Sequence, residues 1–159
     1  MRRILPVILI LAVLGCFSCG TAYSQCVDSS LITNAYCDPH YDPVCGCNGT
    51  TYKNDCFARD AGVTQQNYYY GICGDVDFDF NPNPVYDIIY VDAILKNQGD
   101  MYVQLFDRFG NIMFATTYPN VLRFQFQIDA RGIPPGIYYL NIFCLTGNKV
   151  RPVIIPGLI

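Results

Sequence analysis

The chain has 159 residues, room for one medium domain or two small ones, with 10 basic and 13 acidic side chains and a formal charge of −3. No basic run interleaved with aromatics occurs, which argues against a nucleic-acid partner. Every acid is an aspartate, tryptophan is absent, and 13 tyrosines with 10 phenylalanines lean the composition toward strands and turns rather than long surface helices.

Residues 1–24 read as an export signal. Arg2 and Arg3 precede an uncharged apolar run from Ile4 to about Cys19, a little short for a bilayer-spanning helix. Ala22-Tyr23-Ser24 offers small residues to a signal peptidase, and a cut before Gln25 is the preferred route. Val13-Leu14-Gly15-Cys16 also resembles a bacterial lipoprotein box that would leave Cys16 lipid-modified, and an uncleaved anchor is a third route. All three imply export, so the protein is expected to be secreted or at the cell surface. A membrane contact is expected only through lipid on Cys16 or anchoring at the surface after export. Losing the signal takes Arg2 and Arg3 from the ten basic side chains, leaving eight against thirteen aspartates and a formal charge of −5.

Outside the cytoplasm thiols oxidise, so dense cysteines read as disulfides. Of nine cysteines, Cys16 and Cys19 leave with the signal, six cluster between Cys26 and Cys73, and Cys144 stands alone. The segment 25–74 is polar, turn-rich and poor in large aliphatics, the kind of module that needs covalent staples. Its centre, "CDPHYDPVCGCNGTTYKNDC" at 37–56, holds four cysteines and His40. Tetrahedral zinc favours Cys-x-x-Cys pairs, whereas the close pair here is Cys45-Gly46-Cys47, so no metal is expected. Six cysteines allow 15 pairings, and spacing alone does not choose among them. Asn54 or Asp55 can cap a short helix through Ala61 that Gly62 ends. Asn48-Gly49 can turn a hairpin, and "NYYYGIC" can add a small strand. Asn48-Gly49-Thr50 also fits a glycosylation sequon, although the hairpin suffices to explain it.

Residues 75–84, in "GDVDFDFNPNP", read as a solvated linker ending in two Asn-Pro pairs. The alternation Asp75, Asp77, Asp79 invites a calcium reading, but an EF-hand loop wants glycine and glutamate where Phe80 and Tyr86 stand. Residues 85–159 give six candidate strands: "VYDIIYVDAIL", "MYVQLFD", "NIMFATTY", "VLRFQFQID", "GIYYLNIFCL" and "KVRPVIIP". They are divided by turn signals at Asn97–Asp100, Arg108–Asn111, Gly132–Gly136 and Gly147-Asn148, which implies an all-β antiparallel, immunoglobulin-like sandwich. Its expected core is Ile88, Val91, Val103, Leu105, Ile112, Phe124, Phe126, Tyr138, Leu140 and Ile142. Cys144 is expected as a free, buried thiol in the fifth candidate strand. His40 is the sole histidine and no nucleophile motif surrounds it, so neither catalysis nor a cofactor is expected.

Seven residues separate Cys37 from Cys45, six separate Cys45 from Tyr52, and three separate Tyr52 from Cys56. With "VCGCNGTTYKNDC", this pattern over Cys26–Cys73 resembles the Kazal family of serine protease inhibitors, a small disulfide-rich α+β knot. The resemblance implies pairs Cys37–Cys56 and Cys45–Cys73. The family's usual cysteine on the helix after Cys56 is missing and Cys47 is extra, so Cys26 is paired with Cys47, as in a bacterial variant. It also implies a rigid inhibitory loop from Cys37 to Cys45, carried by Asp38, Pro39, His40 and Tyr41 and braced from behind by Asn54. A serine protease would then be the partner. Preorganisation gives such a loop its affinity, since little entropy is lost on binding. Pro39 falls where a residue enters the protease's specificity pocket; it has no N–H, and a lost main-chain bond there costs about 1–3 kcal/mol. Two readings therefore stand: an inhibitor with an unusual target, and a non-inhibitory extracellular binding or structural module on the same scaffold.

From Phe80 onward, "NPNPVYDIIYV", "MYVQLFDRFGNIMF", "IDARGIPPGIYYLNI" and "GNKVRPVII" occur in order. They resemble the C-terminal sorting domain of the type IX (Por) secretion system, with Pro152 and Cys144 as departures. That resemblance implies an address read by outer-membrane secretion machinery and often removed afterwards. It adds no chemistry.

Overall fold

The computed structural model describes residues 25–157. The expected export signal, with Arg2, Arg3, Cys16 and Cys19, lies outside them.

In the N-terminal module, β1 (Val44–Gly46) is the middle strand of a three-stranded antiparallel sheet, between β2 (Thr51–Tyr52) and β3 (Tyr68–Tyr70). Asn48-Gly49 does turn the first hairpin: Gly49 takes φ 74°, and Asn48 Oδ1 accepts from the Thr50 N–H at 3.1 Å. Helix α1 (Asp55–Asp60) starts at Asn54, whose side chain accepts from the N–H groups of Cys56 and Phe57. Gly62, at φ 80°, closes the helix, and an added Cβ there would stand 2.4 Å from the Asp28 carbonyl oxygen. Among the described residues of this module, Val44, Ala58 and Val63 form the buried apolar cluster, with Val27, Tyr52 and Tyr68 leaning on it. So small a core leaves stability to covalent links. Cys26 is bonded to Cys47, Cys37 to Cys56 and Cys45 to Cys73, at sequence separations of 21, 19 and 28. Loops of that size each remove about 3 kcal/mol of unfolded-state entropy.

The C-terminal module is an antiparallel β sheet with its own core. In chain order it comprises β4 (Val76–Asn81), β5 (Ile88–Asp107), β6 (Ile112–Asp129), β7 (Gly136–Phe143) and β8 (Asn148–Ile155). The four candidate strands between 85 and 129 are joined into two long ones. The expected turn at Asn97–Asp100 is a register shift opposite Pro119-Asn120, with Gln98 Nε2 donating to the Asn120 carbonyl and Asp100 Oδ1 accepting from the Asn120 N–H. At this irregularity β5 changes neighbours. Ile88–Leu95 lies between β4 and β6, whereas Met101–Asp107 lies between β7 and β6. The sheet thus folds over itself into two layers, and one cluster fills the space between them: Phe78 from β4, Ile89 and Val103 from the two halves of β5, Ile128 from β6, Leu140 from β7 and Val153 from β8.

Three sequence expectations need correction. The linker at 75–84 is largely strand β4, with Val76, Asp77 and Phe78 buried. Phe78 faces the core, while the aspartates are neutralised by distant cations: Arg151 Nη2 and Lys149 Nζ lie 3.0 and 3.8 Å from Asp77 Oδ1, and Lys53 Nζ lies 2.5 Å from Asp79 Oδ2. Among the expected core residues, Ile88 is only half-buried while its neighbour Ile89 is fully buried, because the inward face of β5 carries the odd positions. Ile112 and Phe124 are exposed, since β6 pairs with β5 alone and runs along an edge. Cys144 is free but sits just past β7 in the turn to β8, half-buried, its N–H donating to the Gly147 carbonyl at 2.9 Å.

Candidate functional site

The segment Cys37–Cys45 is anchored at both ends by disulfides, Cys37 to α1 and Cys45 to the chain beyond β3. Between these anchors Asp38, Pro39, His40 and Asp42 are exposed, whereas Tyr41 and Pro43 are buried. Main-chain bonds fix the returning half: the Asp42 N–H donates to the Lys53 carbonyl at 2.9 Å and the Gly71 N–H to the Pro43 carbonyl at 2.8 Å. At the tip, the Asp38 carboxylate accepts from the His40 N–H at 3.1 Å, and His40 Nδ1 stands 3.5 Å away from it.

Asn54 sits behind this tip with 1% of its surface exposed. Its Nδ2 donates to the carbonyl oxygens of Asp38 and His40, both at 2.9 Å, while its Oδ1 caps α1. One buried side chain therefore ties the residues on either side of Pro39 to the start of the helix. The Pro39 ring projects from a backbone held at both neighbours, and its nitrogen carries no proton to donate.

Tyr41 turns the opposite way, onto the C-terminal sheet. It is 9% exposed, its ring lies 5.7 Å from the Arg123 guanidinium carbon, and its carbonyl accepts a short bond from Arg123 Nη2. Arg123 is itself held by Asp92 across neighbouring strands, at 2.9 Å from Nε to Oδ1 and 2.7 Å from Nη2 to Oδ2. That pairing pushes the Arg123 pKa up. Burial, and then the negative charge of Asp77, push the Tyr41 phenol well above its ordinary range. Among the described residues its buried hydroxyl has no hydrogen-bond partner, and neither has Asp77 Oδ2. Beside this contact, Pro39, His40 and Tyr41 form one wall of a cleft of about 390 Å³, and Asp79, Tyr90, Asp92 and Gln127 of the sheet line the other.

All four loop residues and Asn54 thus meet at one edge of the N-terminal module. The residues that hold Tyr41 from across the chain, Arg123 and the Asp92 that fixes it, were not singled out in the sequence, where no spacing or motif marks them. Among the described residues no group of three or more histidine, cysteine or acidic side chains is arranged to hold a metal ion.

Comparison with known families matches both halves. The model of the Kazal-type serine protease inhibitor domain matches residues 19–68, and that of the secretion system C-terminal sorting domain matches residues 80–156. Human serine protease inhibitor Kazal-type 9 is 38% identical over 60 residues, covering 34% of this chain and 70% of that protein. The reversion-inducing cysteine-rich protein with Kazal motifs from Danio rerio is 42% identical over 48 residues, covering 30% of this chain and only 5% of that much longer protein. Among solved structures, dimeric latent PorU from Porphyromonas gingivalis aligns with a TM-score of 0.47 at 16% identity, over 79% of this chain and 17% of that one.

Proposed function

A chain that belongs to the Kazal-type serine protease inhibitor family and carries a type IX secretion system C-terminal sorting domain is a secreted or cell-surface protein, and we propose that it acts there as a serine protease inhibitor through Asp38, Pro39, His40 and Tyr41. The observation that carries this reading is the double donation from Asn54 to the carbonyls flanking Pro39. A loop already held in one shape loses little entropy on entering a protease cleft, and a held backbone resists the movement that cleavage requires. The protease is bound as a partner and not chemically altered. The C-terminal sheet supplies the second partner, the secretion machinery that delivers the chain.

Pro39 favours a second reading, a non-inhibitory module on the same scaffold. An enzyme whose cleft accepts an N–H from the pocket residue would leave that acceptor unpaired, a loss of about 1–3 kcal/mol, or roughly 5- to 150-fold in affinity. Inhibition titrations of the full chain and of Pro39→Leu against a panel of serine proteases separate the readings. Saturable inhibition by the wild type, strengthened at least tenfold against common targets by Pro39→Leu, is expected. The inhibitor reading fails if neither chain inhibits any protease even when Tyr41 is released from the sheet by substitution of its contacts.

A further inference from the structure

Extended segments that bind a protease cleft do so on both sides of the pocket residue, so the residues following Pro39 must be free as well as Pro39 itself. They are not. Tyr41, two positions on, has its ring buried against the sheet and its carbonyl engaged by Arg123. Asp92 holds Arg123 with two bonds, and Gln125 Nε2 donates to Asp92 Oδ2 at 2.8 Å, so the clamp is built into the strands and is no loose surface side chain. A second tie, Lys53 to Asp79, joins the residue that receives the Asp42 N–H to strand β4. Asp38, Pro39 and His40 meanwhile remain exposed along the rim of the cleft.

We infer that the C-terminal sheet is an intramolecular cap on the loop: it occupies the Tyr41 side of the strand that a protease would need, so the intact chain is a closed form of the inhibitor. This inference rests on the inhibitory reading of the loop and concerns its regulation. The cap is built to release. Its ties are polar and partly solvated, with the Arg123 side chain 40% and the Lys53 side chain 28% exposed, and exposed ion pairs contribute little net stability. The contact also leaves the Tyr41 hydroxyl buried with no partner among the described residues, a cost that opening relieves. Whatever separates sheet from loop, by cutting the chain near Gly74 or by binding the sheet elsewhere, frees the Tyr41 side of the loop.

The test uses the full disulfide-bonded chain, as wild type and as Lys53→Ala/Arg123→Ala, both substitutions lying at partly exposed positions, with far-UV circular dichroism as the check on folding. Nitration by tetranitromethane, mapped residue by residue by mass spectrometry, reads the cap without any protease, with Tyr36, 91% exposed, as the internal standard. Tyr41 is expected to react at least tenfold more slowly than Tyr36 in the wild type and within threefold of it in the double variant. Tyr41 reacting like Tyr36 in the wild type overturns the cap; so does protection that persists in the double variant, since the N-terminal module would then shield Tyr41 by itself. Association with a serine protease is expected to be at least tenfold faster for the double variant, and equal rates with Tyr41 freed would show that the sheet does not mask the loop. If nitration behaves as expected and no protease binds either chain, the cap stands and the inhibitory reading falls.

Discussion

The side-chain amide of Asn54 donates to the main-chain oxygen of His40 across 2.9 Å while its carbonyl oxygen caps α1, so the exposed loop and the helix share one hinge pin. Asn54→Ala removes the cap and both loop bonds, and we expect it to cost about 2–3 kcal/mol, the sum of a lost cap and weakly compensated carbonyls. Asn54→Asp keeps the cap but sets a carboxylate oxygen against two carbonyls. It should retain the helix and loosen the loop. Thermal denaturation reads the first effect, and the rate at which an excess of protease cuts between Asp38 and Asp42 reads the second. An Asn54→Asp chain cut no faster than the wild type would show that the brace does not hold the loop.

What could be read from the sequence follows from how local each feature is. The cap at Asn54 and the turn at Asn48-Gly49 depend on a few adjacent residues, so residue type and spacing suffice. Tyr41 depends on Arg123 and Asp92, which lie far along the chain and reach it only because the sheet folds back beside the loop. Its burial was therefore invisible. Strand β4 was misread for the same reason: Asp77 and Asp79 look like solvated charges until Arg151 and Lys53 arrive to neutralise them. The sequence divides the two long strands into four because Asn97–Asp100 has the composition of a turn and Pro119-Asn120 falls between two candidate strands, and only the cross-strand bonds at Asn120 turn these breaks into a bend within paired strands.

The two modules should respond differently to reduction. The N-terminal one has little core beyond Val44, Ala58 and Val63, whereas the sheet buries its own cluster without a disulfide. Under dithiothreitol, three cross-links worth about 3 kcal/mol each disappear from the first module and none from the second. Two-dimensional NMR should then show collapsed dispersion for residues 26–73 and retained dispersion for the β5 and β7 amides. Loss of both sets together would mean the sheet needs the knot.

Asp77 is 1% exposed and keeps its charge company through Arg151, its closest cation, at 3.0 Å. Removing one partner of a buried pair strands the other, so Arg151→Ala should cost about 3 kcal/mol, near the low end for such pairs because the arginine head is partly solvated. Asp77→Asn should cost less, since an amide tolerates burial better than an unpaired carboxylate. Chemical denaturation of the C-terminal transition gives both values. An Arg151→Ala cost below that of Asp77→Asn would show that Lys149, 3.8 Å away, carries the charge alone.

Acid should act late on Asp129. The Arg131 side chain, and then its N–H, hydrogen-bond Asp129 and hold its carboxyl down at about 2 against an ordinary 3.8. A carboxylate depressed in the folded state contributes its stabilisation fully above the ordinary value and loses it as pH falls through the folded one, so this turn should weaken only between about pH 4 and pH 2. A carboxyl-detected NMR titration should place the Asp129 midpoint at about 2, with Arg131→Ala moving it back toward the ordinary range. A wild-type midpoint already at 3.8 would mean the pair does not form in solution.

Tyr41 offers the sharpest separation between shape and polarity at the contact between the modules. Its ring fills space against the sheet, but its hydroxyl is buried with no partner, close enough to Asp77 for that charge to push the phenol up. A buried hydroxyl without a partner is a cost, and exchanging it for hydrogen is neutral or favourable by up to about 1 kcal/mol. Tyr41→Phe should therefore leave thermal stability unchanged or slightly raised, whereas Tyr41→Ala, which empties the same space, should cost about 3 kcal/mol. Both are read by differential scanning calorimetry on the oxidised chain. If Phe proves as damaging as Ala, the hydroxyl is the group that docks the loop, and the ring stacked under Arg123 is incidental.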